Sequence, residues 1–102
     1  MELTKPYYAV IFSNYQTDEL EGYGETAELM EKLAAKQPGY LGFESARDGF
    51  GIAISYWESL EAIAGWKQQT DHLLAQKMGK TKWYSYYKVR ICKVEREYEF
   101  EK

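Results

Sequence analysis

The dipeptide Asp48-Gly49 separates two segments, Tyr40 to Arg47 and Phe50 to Trp57, whose side chains alternate in the way typical of strands. Asp-Gly is a strong signal for a two-residue β-hairpin, because such turns need positive φ angles that few other residues adopt. The two segments are therefore predicted to be antiparallel neighbours in one sheet. In the second strand, one face would carry Phe50, Ile52, Ile54 and Tyr56, and the other Gly51, Ala53, Ser55 and Trp57.

A strand and a helix are predicted before this hairpin. Residues 6–14 form a continuous apolar run that is too short for a typical helix, which indicates a central strand buried on both faces. Residues 26–37 carry apolar side chains at helical spacing, with glutamates early and lysines late, as the helix dipole favours. Pro38-Gly39 is predicted to end this helix.

A helical stretch and a long strand are predicted after the hairpin. Ser59 is a good N-cap for a helix through Trp66, and Thr70 or Asp71 is predicted to cap a second piece that Gly79 ends.

The last predicted strand runs from about Ser85 to Phe100, and its apolar pattern changes phase. Apolar residues occupy odd positions up to Ile91 and even positions from Cys92 onward. Such a change implies a bulge, or a strand that leaves one environment and enters another. The second alternative suggests that the strand crosses to a partner chain.

The element order β-α-β-β-α-β is the ferredoxin-like arrangement, an α+β fold. In it the first and third strands are central, and both helices cover one face of an antiparallel sheet. The length of 102 residues predicts a single domain, 1–102. Because an apolar sheet face left open to water normally marks an interface, we expect a homodimer with the two sheets packed face to face.

Composition narrows the function classes. The net charge of −3 argues against a nucleic-acid partner, since phosphate binding needs a basic face. Cys92 is the only cysteine, so neither an internal disulfide nor a multi-cysteine metal cage can form. No stretch approaches the roughly 18 apolar residues of a membrane span, and we expect a cytoplasmic protein without a membrane partner. The 10 tyrosines and 3 tryptophans exceed what a small core easily hides, so some rings should line a cavity.

Three parts of the sequence carry a family resemblance: the segment Gly39-Tyr-Leu-Gly-Phe-Glu-Ser-Ala-Arg47, the segment Ile54 to Ala62, and the pair Trp66 and His72. Together they resemble the antibiotic biosynthesis monooxygenase domain family. The resemblance implies a dimeric α+β barrel with a pocket between the sheet and the helices of each protomer. Family members range from quinone-forming oxygenases to haem degraders.

The resemblance implies a cofactor-independent monooxygenase that oxidises a small aromatic or polyketide-like ligand with dioxygen, using no cofactor and no metal. Such an enzyme needs a dry aromatic pocket and a base or hydrogen-bond partner for the substrate oxygen. His72 is the candidate base, Asn14 could orient an oxygen, and Trp66 is the third catalytic candidate. The candidate substrate-binding walls are Tyr56, Trp57, Trp83 and Tyr86.

Each candidate also has a structural interpretation: His72 as a surface or capping residue, Asn14 as a turn residue, and the tryptophans as core. Two alternative functions stay open. The haem-degrading branch resembles this chain at Asn14 and Trp66, but its haem-ligating histidine corresponds to Gln76, one helical turn after His72. The other alternative is a non-catalytic small-molecule binder or stress protein.

Overall fold

The computed structural model describes residues 6–77 and 82–102, and the side chains of residues 74–77 are outside this description. The predicted order β-α-β-β-α-β is confirmed. The elements are β1 (Tyr7–Gln16), α1 (Tyr23–Ala35), β2 (Tyr40–Asp48), β3 (Phe50–Trp57), α2 (Leu60–Lys77) and β4 (Tyr84–Val94).

The four strands form one antiparallel sheet in the order β2-β3-β1-β4, so the first and third strands are central, as predicted. Both helices lie on the same face, because Ala34 of α1 and Ile63 of α2 pack against Trp57 of β3. The fold is therefore the ferredoxin-like α+β arrangement. Within the described residues, neither helix is long and apolar enough to cross a membrane.

Register assigns every strand residue to one of two faces, since directly opposed residues in antiparallel strands point the same way. The face that the helices cover, called the helix-side face, receives Tyr8, Val10, Phe12 and Asn14 from β1. The opposite face, called the outer face, receives Ala9, Ile11, Ser13 and Tyr15.

The core occupies one end of the helix-side face. Trp57 has no exposed surface and stacks on Trp66 of α2 with a centroid distance of 5.9 Å and an interplanar angle of 27°. The Tyr40 ring meets Trp57 edge-on at 5.6 Å. Gly39 has a φ of +85°, and a Cβ there would lie 2.7 Å from the Cβ of Ala62, so only glycine lets β2 begin this close to α2.

Helix α2 is continuous, and the predicted break at Thr70 or Asp71 is wrong. The Thr70 hydroxyl donates to the Trp66 carbonyl at 2.8 Å, a bond along the helix that needs no interruption. Lys67 and Asp71 pair at 2.6 Å on the helix surface. The predicted end at Gly79 lies outside the described residues.

Strand β4 ends at Val94 and not near Phe100. Its register with β1 is unbroken from Ile91, opposite Val10, to Cys92, opposite Ala9, so the predicted bulge is absent at the phase change. The apolar side chains instead move from the helix-side face to the outer face. Residues 95–102 lie outside any strand, and Tyr98 is 89% exposed. The extension to a partner chain stays a prediction.

Candidate active site

A row of four residues crosses the sheet at the end remote from the Trp57 core. Arg47 of β2 lies opposite Gly51 of β3, Gly51 opposite Asn14 of β1, and Asn14 opposite Tyr87 of β4. All four positions belong to the helix-side face. Trp57 lies six residues along β3 from this row, which corresponds to roughly 20 Å of extended strand.

The missing side chain at Gly51 allows Arg47 to reach Asn14. The guanidinium lies over Gly51, where a Cβ would overlap it. Arg47 Nη2 donates to Asn14 Oδ1, and Nη1 donates to the Gly49 carbonyl at 3.4 Å. Asn14 Nδ2 donates to the Gly51 carbonyl at 3.4 Å. These bonds fix Asn14, which is only 2% exposed, beneath an Arg47 that stays open to solvent.

Aromatic rings surround this Asn14–Arg47 pair on the β4 side. The Phe12 ring meets Tyr84 edge-on at 5.2 Å and Tyr87 at 5.5 Å, and Tyr23 of α1 meets Tyr84 at 6.1 Å. We call Phe12, Tyr23, Tyr84 and Tyr87 the aromatic cluster. The aromatic cluster joins the start of α1 to β1 and β4. Ring pairs of this kind stabilise such a contact beyond the effect of the area that they bury.

Burial determines the electrostatics of the cluster. Burial is the largest cause that raises the pKa of Tyr84 well above its usual range. The charge interaction and the hydrogen bond with Tyr23 raise this pKa further. The positive charge of Arg47 acts in the opposite direction and lowers this pKa. Tyr84 is therefore a neutral hydroxyl at physiological pH, and Arg47 is the local charge.

The part of the helix-side face next to the aromatic cluster is open to solvent. The helices pack mainly on β2 and β3. Val89, opposite Phe12, is 49% exposed, and Ile91, opposite Val10, is 51% exposed. A planar apolar molecule therefore has surface to contact beside the Asn14–Arg47 pair.

Two open clefts lie elsewhere, at the start of α2. One, of about 410 Å³, includes Tyr8, Glu58 and Lys93, and the other, of about 370 Å³, includes Gln37 and Glu58. Tyr8 is the only aromatic ring that lines either of them. They match a ring-shaped ligand less well than the open surface beside the aromatic cluster.

The structure does not bring the three predicted catalytic residues together. Asn14 lies in the row described above, whereas Trp66 stacks on Trp57 in the core at the other end of the sheet. His72 is exposed, and it follows the buried Ile63 by nine positions, which turns it about 180° around α2. It therefore projects from the helix side that faces away from the sheet.

The four predicted wall residues are also divided. Trp57 is core, while Tyr56 and Tyr86 belong to the outer face, opposite Ala9 and Tyr15. The Tyr56 hydroxyl donates to Glu44 Oε1 at 2.5 Å, and this bond is the main cause that raises the pKa of Tyr56 to about 12.

Trp83 is the predicted wall residue that adjoins the cluster. Its ring meets Tyr23 edge-on at 5.6 Å, its Nε1 donates to the Glu21 carbonyl at 3.0 Å, and it is 2% exposed. Trp83 is therefore a buried residue that packs against the Tyr23 ring of the aromatic cluster. The Gln76 side chain, on which the haem alternative depends, lies outside the described residues. Among the described residues no group of three or more His, Cys, Asp or Glu side chains could hold a metal ion.

The sequence-based candidates omitted Arg47, Phe12, Tyr84 and Tyr87. The predicted two-residue turn at Asp48-Gly49 would set Arg47 opposite Phe50. The structure instead pairs Asp48 with Phe50 and Arg47 with Gly51, so the predicted register is wrong by one residue and Arg47 lies on the helix-side face. The pairing of β1 with β3 and β4, which adds Asn14 and the rings, depends on tertiary structure.

Fold and site together define an α+β protein with a polar pair and a ring cluster on the helix-covered face of its sheet. The sequence profile named antibiotic biosynthesis monooxygenase matches residues 6–78. The chain therefore belongs to the antibiotic biosynthesis monooxygenase family.

Individual relatives agree with this assignment. The uncharacterized protein YqjZ of Bacillus subtilis is 52% identical over 98 residues, which cover 94% of this chain and 86% of that protein. The structure of PA3566 from Pseudomonas aeruginosa is similar with a TM-score of 0.68 and 16% identity, covering 95% of this chain and all of that one. A variant of SnoaB from Streptomyces nogalater, described as a cofactor-independent oxygenase, has a TM-score of 0.68 and 14% identity, covering 90% and 95% of the two chains. At these identities the two structures support the fold alone.

Proposed function

We propose that the protein is a cofactor-independent monooxygenase that oxidises a small aromatic or polyketide-like substrate with dioxygen. The observation that carries the proposal is the Asn14–Arg47 pair beside open aromatic surface on the helix-side face. Membership of the antibiotic biosynthesis monooxygenase family and the fold shared with a cofactor-independent oxygenase support it.

The proposed reaction balances without a reductant. A ring CH₂ group conjugated to a phenol loses a proton to water, and the resulting anion gives an electron to dioxygen. A C–O bond then forms as the carbon radical and superoxide combine, and the peroxide anion takes a proton back from water to give a hydroperoxide. Its O–O bond breaks as the second C–H proton is lost, so CH₂ and O₂ become C=O and water.

The Asn14–Arg47 pair would act on the substrate oxygen that carries the negative charge before oxygen attack. Arg47 would donate to this oxygen, and the buried Asn14 would hold the guanidinium in place through its Oδ1 atom. Preorganised donors of this kind stabilise developing oxyanions because they need no reorganisation during the reaction. The Phe12 and Tyr87 rings would hold the substrate plane.

Oxygen uptake with anthrone substrates tests the proposal. Asn14→Ala should lower kcat/KM by about 10²-fold, because it removes the acceptor that positions the Arg47 guanidinium and a donor misplaced by about 1 Å costs this much. His72→Ala tests the predicted base: unchanged turnover is expected from its place on the outside of α2, and a drop of about 10²-fold would restore it as the base. Absence of oxygen uptake in the wild type, or equal uptake in Asn14→Ala, would refute the proposal.

We further propose that the outer face binds a second copy of the chain. Ile52 is 39% exposed there, Tyr86 47% and Tyr15 49%. Glu44 and Asp48 line its β2 edge, and Lys88 and Arg90 line its β4 edge. A twofold axis parallel to the strands places the acidic edge of one copy over the basic edge of the other, so charge favours this face-to-face packing.

Light scattering tests this packing with charge reversal. The double variant Lys88→Glu and Arg90→Glu should dissociate the dimer, and adding Glu44→Lys and Asp48→Lys should restore it. A wild type that is a monomer at all concentrations would contradict the arrangement. So would a dimer indifferent to both sets of variants.

A further inference from the structure

The Arg47 guanidinium has donors to spare. A guanidinium carries five N–H groups, and the hydrogen bonds to Asn14 and Gly49 account for two of them. Both acceptors are neutral. Among the described residues no carboxylate lies within salt-bridge distance of Arg47.

The nearest acidic neighbour in sequence is directed elsewhere. Asp48 follows Arg47 on β2 and lies opposite Phe50, which places it on the outer face. The phenol of Tyr84 stays neutral because burial raises its pKa. The positive charge on this part of the helix-side face is therefore not neutralised by the described side chains around it, in a chain whose net charge is −3.

The position of the charge matters as much as its sign. The guanidinium lies over Gly51, in the same row as Asn14 and Tyr87, so its free donors and the ring of Tyr87 lie on the same face of the sheet. A guanidinium binds a carboxylate through two parallel hydrogen bonds, and such charged bonds are roughly twice as strong as neutral ones.

We infer that this site binds an aromatic ring bearing an anionic oxygen group, with Arg47 as the anchor and the Phe12 and Tyr87 rings as the platform. The inference rests on the same site as the proposed function and names its substrate class. The anionic group is a ring carboxylate, an anchor additional to the phenol on which the proposed reaction depends; a phenolate has the same chemistry toward Arg47, and the titrations below distinguish the two.

Calorimetric titration under nitrogen tests the inference without turnover. The probes are 2-naphthoate and its neutral counterpart 2-naphthamide, which have the same ring and nearly the same shape. The wild type should bind naphthoate at least about 10-fold more tightly, the value of one charged hydrogen bond over a neutral one. Arg47→Gln should remove that preference, and Arg47→Lys should restore part of it. Lys32→Gln, which removes an exposed charge on α1, is the matched control and should change nothing.

Three outcomes of these titrations would contradict the binding of an aromatic anion by Arg47. Equal wild-type affinity for the two probes, binding of neither probe, or a preference that survives in Arg47→Gln would overturn the inference. Because the first comparison uses only the wild type, it stands even if a variant fails to fold. A second pair of titrations, with 4-nitrophenol below and above its own pKa, identifies the source: binding only above that pKa adds phenolates to the class, and naphthoate binding alone assigns it to ring acids.

Failure of this inference and failure of the proposed function are distinguishable. Naphthoate binding that depends on Arg47, without oxygen uptake on any anthrone, would leave an anion-binding protein that is not an oxygenase. Oxygen uptake that survives in Arg47→Gln, with no preference for naphthoate, would leave an oxygenase with a neutral substrate.

Discussion

The two ends of the helix-side face use the same sheet for different purposes. At one end Tyr40, Trp57 and Tyr8 form a row that both helices cover, and Trp57 has no exposed surface. At the other end the row of Arg47, Gly51, Asn14 and Tyr87 meets solvent on the β4 side.

Under the proposed function, the difference between the ends separates stability from ligand binding within one small domain. The covered end contributes the free energy of folding because it removes the largest rings from water. The open end leaves apolar surface and a charge exposed, which gains little for folding. We therefore expect substitutions at the covered end to change stability, and substitutions at the open end to change binding.

The largest effect is expected for Trp57→Ala. Deleting a fully buried tryptophan typically costs about 3–5 kcal/mol, because the cavity adds to the lost burial. That loss is comparable with the whole stability of a small domain. Urea unfolding at fixed protein concentration measures it. Leu60→Ala, which trims a residue that is 52% exposed, should change stability by less than about 1 kcal/mol. Equal losses would refute the assignment of the core to this end.

Glycines at the two ends provide the second test. Gly39→Ala combines a positive φ with a Cβ that meets Ala62 at 2.7 Å, and we expect a loss of about 2–4 kcal/mol in the free energy of unfolding. Gly49→Ala has a φ of +79° and open space around it, so only the backbone cost of about 1–2 kcal/mol applies. A larger loss for Gly49→Ala would contradict the close approach of β2 to α2.

The sequence predicted the covered end better than the open one. Strand positions, the hairpin and the central place of β1 and β3 follow from local alternation and turn chemistry. The register of β2 does not, because Asp48 pairs with Phe50 and the register shifts between Tyr40 and Gly42. The break predicted at Thr70 was wrong because a threonine hydroxyl can bond back to its own helix as well as cap a new one.

The open end depends on register between distant segments. His72 and Trp66 were chosen as chemically suitable residues, but their places around α2 follow from which side of the helix carries Ile63. Arg47 looked like an ordinary strand-end residue. Its importance comes from Gly51 and Asn14 lying beside it, and the pairing with Asn14 involves positions 33 residues apart.

The third prediction concerns alkaline pH at the open end. The folded-state pKa of Tyr84 is raised by burial, so folding favours the protonated phenol. The stabilisation is present in full below the unfolded pKa of about 10 and is lost as pH rises above it. Urea titrations from pH 8 to 11 should show less alkaline loss of stability in Tyr84→Phe than in the wild type. Tyr98→Phe, on an 89% exposed ring, is the control. An unchanged slope in Tyr84→Phe would mean that the phenol is not buried in the cluster.

The smallest effect on stability is expected for Gly51→Ala, although its effect on the site should be large. The φ angle of Gly51 is not positive, so the backbone accepts alanine, and the three atoms nearest to the new Cβ all belong to the guanidinium of Arg47. Because Arg47 is exposed, it can move into solvent at a cost of less than about 1 kcal/mol. Asn14 then loses its cationic donor while it keeps the Gly51 carbonyl. The side-chain amide resonances of Asn14 in a ¹⁵N correlation spectrum should shift, and Arg47→Gln should shift them in the same direction. An Asn14 signal that moves in Arg47→Gln but not in Gly51→Ala would mean that the guanidinium reaches Asn14 by another path. The open end would then not depend on the missing side chain.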